Sequence, residues 1–108
     1  MFAYDLAIDL GTANTVIFVL GKGVVIREPT VISRRKKTKE LLAVGNEAKK
    51  MLGKNPAGIE VIKPLEDGVI ADFDAAAAML KHYFSQVHRF AGFLPKIARP
   101  RVLIGIPA

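Results

Sequence analysis

The sequence predicts an α/β fold: a mixed sheet with one long flanking helix and a small inserted α+β lobe. Three observations carry this. Short apolar, β-branched runs recur through residues 4–33. Residues 73–90 carry apolar side chains at helical spacing. After that helix, residues 101–106 (Arg-Val-Leu-Ile-Gly-Ile) form a nearly all-apolar run, which predicts a central strand covered on both faces. At 108 residues the chain has room for one domain with a usable core.

Residues 4–10 read as the first strand, broken only by Asp5 and Asp9, and residues 15–20 as the second. Between them Gly11 lets the backbone approach a ligand closely. Thr12, Ala13 and Asn14 follow with N–H groups and short polar side chains, a cradle suited to phosphate oxygens. Asp9, a buried-looking acid at the end of an apolar strand, is costly without a partner. It makes sense if a divalent cation with its waters lies between acid and phosphates. The same four residues, Gly-Thr-Ala-Asn, are also compatible with an ordinary hairpin turn.

Gly21-Lys22-Gly23 reads as a tight turn into a third strand over 24–27. Pro29 holds Glu28 extended, and residues 30–33 continue as strand. The run Arg34-Arg35-Lys36-Lys37-Thr38-Lys39 reads as a charged loop, either an anion-binding patch or a solvated hairpin tip. Residues 41–44 and 59–62 are short strands, with a brief helix opened by Gly45-Asn46-Glu47 between them. Pro64-Leu65-Glu66-Asp67-Gly68 reads as a connecting loop into 69–71.

Asp72 is a good N-cap, with Asp74 in the first turn. Phe73, Ala76, Ala77, Leu80, Phe84, Val87 and Phe90 form the predicted buried stripe, closed by Gly92. His82 and His88 lie off the stripe and read as surface residues. Phe93-Leu94-Pro95 sits among Arg89, Lys96, Arg99 and Arg101. Two large apolar side chains flanked by cations either insert into an anionic bilayer surface or tuck under the helix end.

Composition narrows the function classes. A hydrophobic content of 51% and a mean hydropathy of +0.29 are high for a domain of this size, and imply apolar surface reserved for a further part of the chain, a partner or a membrane. The net charge of +6 suits anionic partners. Aromatic residues make up only 7% and no nucleic-acid-binding motif occurs, so no nucleic-acid partner is expected. Without cysteine there is neither a disulfide nor a thiolate metal site. The N-terminus lacks the basic region of a signal peptide, and no apolar run reaches the roughly 18 residues of a membrane span. No Ser-His-Asp set or other catalytic constellation is visible.

The order of hairpin, strand, inserted lobe, long helix and apolar strand, joined to the Asp-Leu-Gly-Thr turn, resembles the first half of an actin-like (ribonuclease H-like) ATPase domain. Within that superfamily the chain is most similar to the MreB family of bacterial actins that maintain rod shape. The matching stretches are Asp9-Leu10-Gly11-Thr12-Ala13-Asn14-Thr15, Glu28-Pro29-Thr30-Val31, Val44-Gly45-Asn46-Glu47-Ala48 and, most specific, residues 64–73 (Pro-Leu-Glu-Asp-Gly-Val-Ile-Ala-Asp-Phe). Seventy-kilodalton heat-shock chaperones share the first turn, and are the alternative. Their turn usually reads Thr-Thr-Asn-Ser, and residues 64–73 look unlike theirs. A third reading, a basic module binding nucleic acid or anionic lipid, rests on residues 34–39 alone.

The resemblance implies ATP and Mg2+ as ligands, with Thr12, Ala13, Asn14 and Gly11 at the phosphates and Asp9 near the magnesium and its waters. It implies insertion of Phe93 and Leu94 into the cytoplasmic membrane and localisation at its inner face. The implied partners are further copies in a filament and the cell-wall elongation machinery. Residues 1–32 and 72–108 correspond to a first, discontinuous subdomain and residues 33–71 to a small inserted one. The chain stops before the positions expected for the second phosphate loop, the catalytic glutamate and the adenosine pocket. No catalytic residue is therefore assigned, and the 108 residues alone are not expected to be a competent ATPase.

Overall fold

Three antiparallel strands, β1 (Leu6–Leu10), β2 (Asn14–Val19) and β3 (Gly23–Pro29), open the structure, a computed structural model that describes residues 6–90 and 102–105. Strand β9 (Val102–Gly105) pairs with β1 in parallel, giving a mixed four-stranded sheet of order β3-β2-β1-β9. Alternation sets its faces. Leu6, Ile8 and Leu10 of β1 and Ile17 and Val19 of β2 are buried together, while Asp9 on the opposite parity is exposed.

A second sheet is built on β4 (Ile32–Arg35), flanked by β5 (Leu41–Val44) and β6 (Ile59–Ile62). The short helix α1 (Asn46–Lys49) follows β5. Two two-residue strands, β7 (Leu65–Glu66) and β8 (Val69–Ile70), form a small hairpin around Asp67 and Gly68. Helix α2 (Phe73–Phe90) comes next, and among the described residues no helix is long and apolar enough to cross a membrane.

Asp72 caps α2 as expected: its Oδ1 accepts the Ala75 N–H at 2.9 Å. Ala75, Met79, Tyr83 and Val87 of α2 join the β1 and β2 side chains, Val44 and Leu65 in one core cluster. Each large aliphatic side chain so buried stabilises the fold by about 1.5–3 kcal/mol.

Four expectations need correction. The buried stripe of α2 keeps the predicted Ala76 and Val87, with Leu80 and Phe84 partly buried, but is rotated: Phe73 is 74% exposed and Ala77 is exposed, whereas Ala75, Met79 and Tyr83 are buried. Residues 64–68 are not a plain loop, because β7 and β8 pair there. Residues 30 and 31 precede β4 rather than belonging to it. Strand β9 ends the described sheet instead of lying at its centre, and its Ile104 is 42% exposed. Phe93, Leu94 and Gly92 lie outside the described residues.

Candidate functional site

The β1–β2 connection is a tight turn closed on itself. The Gly11 N–H donates to the Asn14 carbonyl at 3.0 Å. A Cβ on Gly11 would lie 2.6 Å from that carbonyl oxygen, so only glycine fits here. Thr30, just beyond β3, ties the turn from below. Its hydroxyl donates to the Gly11 carbonyl at 2.7 Å and lies 2.8 Å from the buried Thr15 hydroxyl. Its N–H donates to the Ala13 carbonyl at 3.0 Å. The carbonyls of the turn are thereby drawn inward, while the N–H groups of Thr12 and Ala13 make no hydrogen bond to the described residues. That is the polarity an anion requires.

Asp9 is exposed rather than buried, contrary to expectation. It is paired across the sheet with Val16 on one side and Gly105 on the other. Gly105 has no side chain to cover it, which leaves the carboxylate open beside the turn. Among the described residues no three Asp, Glu or His side chains converge. A cation at Asp9 would therefore take one protein carboxylate and fill its remaining positions with water and phosphate oxygens. Such a mixed set is what magnesium commonly accepts.

A cavity of about 180 Å³ opens beside Thr12 and Ala13 and is also lined by Thr30, Lys49, Leu52 and Lys63. Whole-ligand pockets run to about 300–1,000 Å³, so this space suits a phosphate group rather than a complete nucleotide. Thr30, Lys49 and Lys63 are absent from the sequence-predicted set. They lie 16–49 positions beyond Asn14 in the chain, and only the fold brings them to the turn.

The other motifs buttress this region. The Asn46 N–H donates to Glu28 Oε1 at 3.2 Å, and the Gly45 N–H donates to the Val31 carbonyl at 2.8 Å. Gly45 has φ of 66°, and any Cβ there would overlap the Glu28 carboxylate. Residues 28–31 and 44–48 are thus one junction. The Tyr83 hydroxyl is buried beside it without a hydrogen-bond partner among the described residues, and burial, with the Glu28 charge in addition, pushes the phenol well above its ordinary range. Residues 64–73 reach the turn directly: the Gly68 N–H donates to Thr12 Oγ at 2.9 Å.

The basic run divides. Lys36, Lys37 and Lys39 are exposed, but Arg34 is buried on β4. Its Nε meets Glu60 at 2.7 Å and its Nη2 meets Asp72 at 2.9 Å. Arg34 is therefore a bridge from the second sheet to the N-terminus of α2, not part of a surface patch. Its guanidinium pulls the Glu60 carboxyl below its ordinary range. Asp72 is held down first by the Ala75 N–H and then by Arg34. Desolvation works against the Arg34 charge, but its hydrogen bonds to Glu60 and Asp72 outweigh it and raise the pKa.

The family model described as MreB/Mbl protein matches residues 3–108. The chain belongs to the MreB/Mbl family. It is 49% identical over 107 residues to cell shape-determining protein Mbl of Bacillus subtilis, covering 99% of this chain and 31% of that protein. It is 48% identical over 111 residues to cell shape-determining protein MreB of Escherichia coli, with the same coverage of each. The chain thus spans about a third of the length of these MreB/Mbl relatives. The crystal structure of MreB5 of Spiroplasma citri bound to ADP superposes with a TM-score of 0.72 at 33% identity, covering 92% of this chain and 36% of that one. MreB5 bound to AMPPNP gives the same TM-score at 32% identity. The fold is therefore that of the actin-like MreB proteins, and the chaperone alternative gains no support from these comparisons.

Proposed function

We propose that the chain supplies the first phosphate turn of an ATP-dependent, actin-like filament protein that maintains rod cell shape. The observation that carries this is the turn itself. Thr12 and Ala13 present N–H groups with no hydrogen bond among the described residues above carbonyls locked by Thr30, with the open Asp9 carboxylate alongside. The family relatives named for cell shape, and the MreB5 structures with ADP and AMPPNP, support the same reading.

In this reading Gly11 admits the phosphates, and the amides of Thr12, Ala13 and Asn14 hold their oxygens. Mg2+ sits near Asp9 and neutralises phosphate charge when bound. Residues 1–32 and 72–108 make one discontinuous subdomain and residues 33–71 the inserted lobe. The filament lies in the cytoplasm against the inner face of the membrane, anchored by Phe93 and Leu94, and guides cell-wall synthesis. Residues beyond this segment supply the rest of the cleft, since positioning of the attacking water requires both of its walls.

The test is sedimentation of the native polypeptide that carries these residues, with and without Mg-ATP. Nucleotide-dependent pelleting is expected, and Asp9→Ala is expected to abolish it. Pelleting and nucleotide affinity unchanged in Asp9→Ala would remove Asp9 from the site.

A further inference from the structure

Lys49 and Lys63 are two cations that the phosphate turn itself does not explain. Lys49 closes α1, and Lys63 lies between β6 and β7. Both line the cavity beside Thr12 and Ala13, and among the described residues that cavity has no acidic side chain in its wall. Elsewhere cations close to a carboxylate are paired with it: Arg34 with Glu60 and Asp72, Arg35 with Glu40, Lys39 with Glu60 and Lys50 with Glu47. The side chains of Lys49 and Lys63 make no ion pair or hydrogen bond among the described residues. Two ammonium groups around one small space repel each other unless an anion lies between them.

The position of the cavity selects the anion. One wall is the turn, whose amides already take phosphate oxygens in the proposed function. The opposite wall belongs to the elements around the second sheet. An anion held by both is therefore one that continues past the turn. About 180 Å³ holds a phosphate group but not a nucleoside. A diphosphate that ends at the turn leaves the two lysines unengaged, whereas a triphosphate adds a group carrying further negative charge.

We propose that Lys49 and Lys63 form a cationic arm that binds the terminal phosphate of a nucleoside triphosphate held at the Gly11–Asn14 turn, drawing α1 and the segment before β7 onto the turn only in the triphosphate state. This rests on the nucleotide reading above. The arm distinguishes the state before hydrolysis from the state after it. Through Gly45 and Glu28 the pull on α1 also reaches the end of β3.

The experiment compares the native polypeptide with its Lys49→Gln, Lys63→Gln and doubly substituted variants. Fluorescence anisotropy reads binding of a labelled triphosphate and a labelled diphosphate. Both lysines are exposed, so the variants are expected to keep the wild-type circular dichroism and melting temperature. Triphosphate affinity is expected to fall about five- to tenfold per lysine, with diphosphate affinity changed less than about twofold. Hydrogen exchange at residues 45–52 is expected to slow more with triphosphate than with diphosphate, and this difference is expected to vanish in the double variant. Lys63→Arg is expected to keep the preference, since it keeps the charge. Equal weakening of both nucleotides, or no weakening of either, overturns the proposal. A wild-type protein that binds neither nucleotide fails before any substitution is made, and overturns the nucleotide reading and the arm with it.

Discussion

Arg34→Met removes one guanidinium and keeps most of the apolar stem. The arginine side chain is 8% exposed, and its partners Glu60 and Asp72 are 25% and 32% exposed. Two charge-assisted hydrogen bonds, at 2.7 and 2.9 Å, are lost. Such bonds contribute about 1.5–3 kcal/mol each where the abandoned partner is stranded from water. Here both carboxylates reach solvent and can rehydrate, which roughly halves the penalty, so a loss of about 1.5–3 kcal/mol is expected. Urea unfolding of the native polypeptide measures it, read at unchanged m-value. Asp72→Asn is the companion variant, because asparagine still caps α2 and only the charge is removed. A coupling of about 1 kcal/mol between the two substitutions is expected. A cost under about 0.5 kcal/mol for Arg34→Met, or strict additivity with Asp72→Asn, would refute the bridge between the second sheet and α2.

Further predictions follow from the same contacts. Glu60 and Asp72 are held below their ordinary range, so their contribution is complete above a pH of about 4 and is lost as pH falls through their lowered folded-state values. Acid titration of stability should show that loss in the wild type and a smaller one in Arg34→Met. Gly11→Ala sets a Cβ 2.6 Å from the Asn14 carbonyl oxygen, and should destabilise the fold by about 1–3 kcal/mol and abolish nucleotide binding by calorimetry. Tyr83→Phe removes a buried hydroxyl with no partner among the described residues, and should raise stability by up to about 1 kcal/mol, whereas a loss of that size would mean the hydroxyl is engaged. Phe93→Ser with Leu94→Ser should release filaments from liposomes without affecting assembly in solution, and unchanged liposome pelleting would return both residues to a packing role.

Local chemistry made the first hairpin, the short strands and α2 legible. Strand runs rich in Val and Ile, a capping aspartate and a glycine-led turn each act over a few residues. The phase of α2 was not legible because the run of alanines at 75–78 is equally apolar on every face. Only tertiary packing of Met79 and Tyr83 decides which side is inside. Arg34 was hidden differently. In a run of five cations within six residues nothing local separates the inward member from the solvated ones. Strand parity does, once β4 is extended to Arg35.

The candidate site divides along the same line. Asp9 and residues 11–14 fall within one six-residue stretch, and the demands of a phosphate turn are written there side by side. Thr30, Lys49, Lys63 and Gly68 reach that turn from four separate elements, and each looks unremarkable where it stands in the chain. Their convergence gives a physical reason for the motif at residues 64–73. Pro64 accepts the N–H groups of Ala71 and Asp72 at 2.8 and 3.3 Å, which folds the segment back on itself. Asp67, at φ of 50°, turns the hairpin so that the Gly68 N–H meets Thr12 Oγ. Thr12 accepts that bond and still has its own hydroxyl proton to donate. A phosphate at the turn can therefore engage Thr12 without breaking the link to Gly68. Thr12→Ser should preserve both interactions, while Thr12→Val should cost about 1 kcal/mol in stability and loosen residues 66–68 in hydrogen exchange. Unchanged exchange at Gly68 in Thr12→Val would mean that the hairpin is held by β7 and β8 alone and that the turn is independent of it.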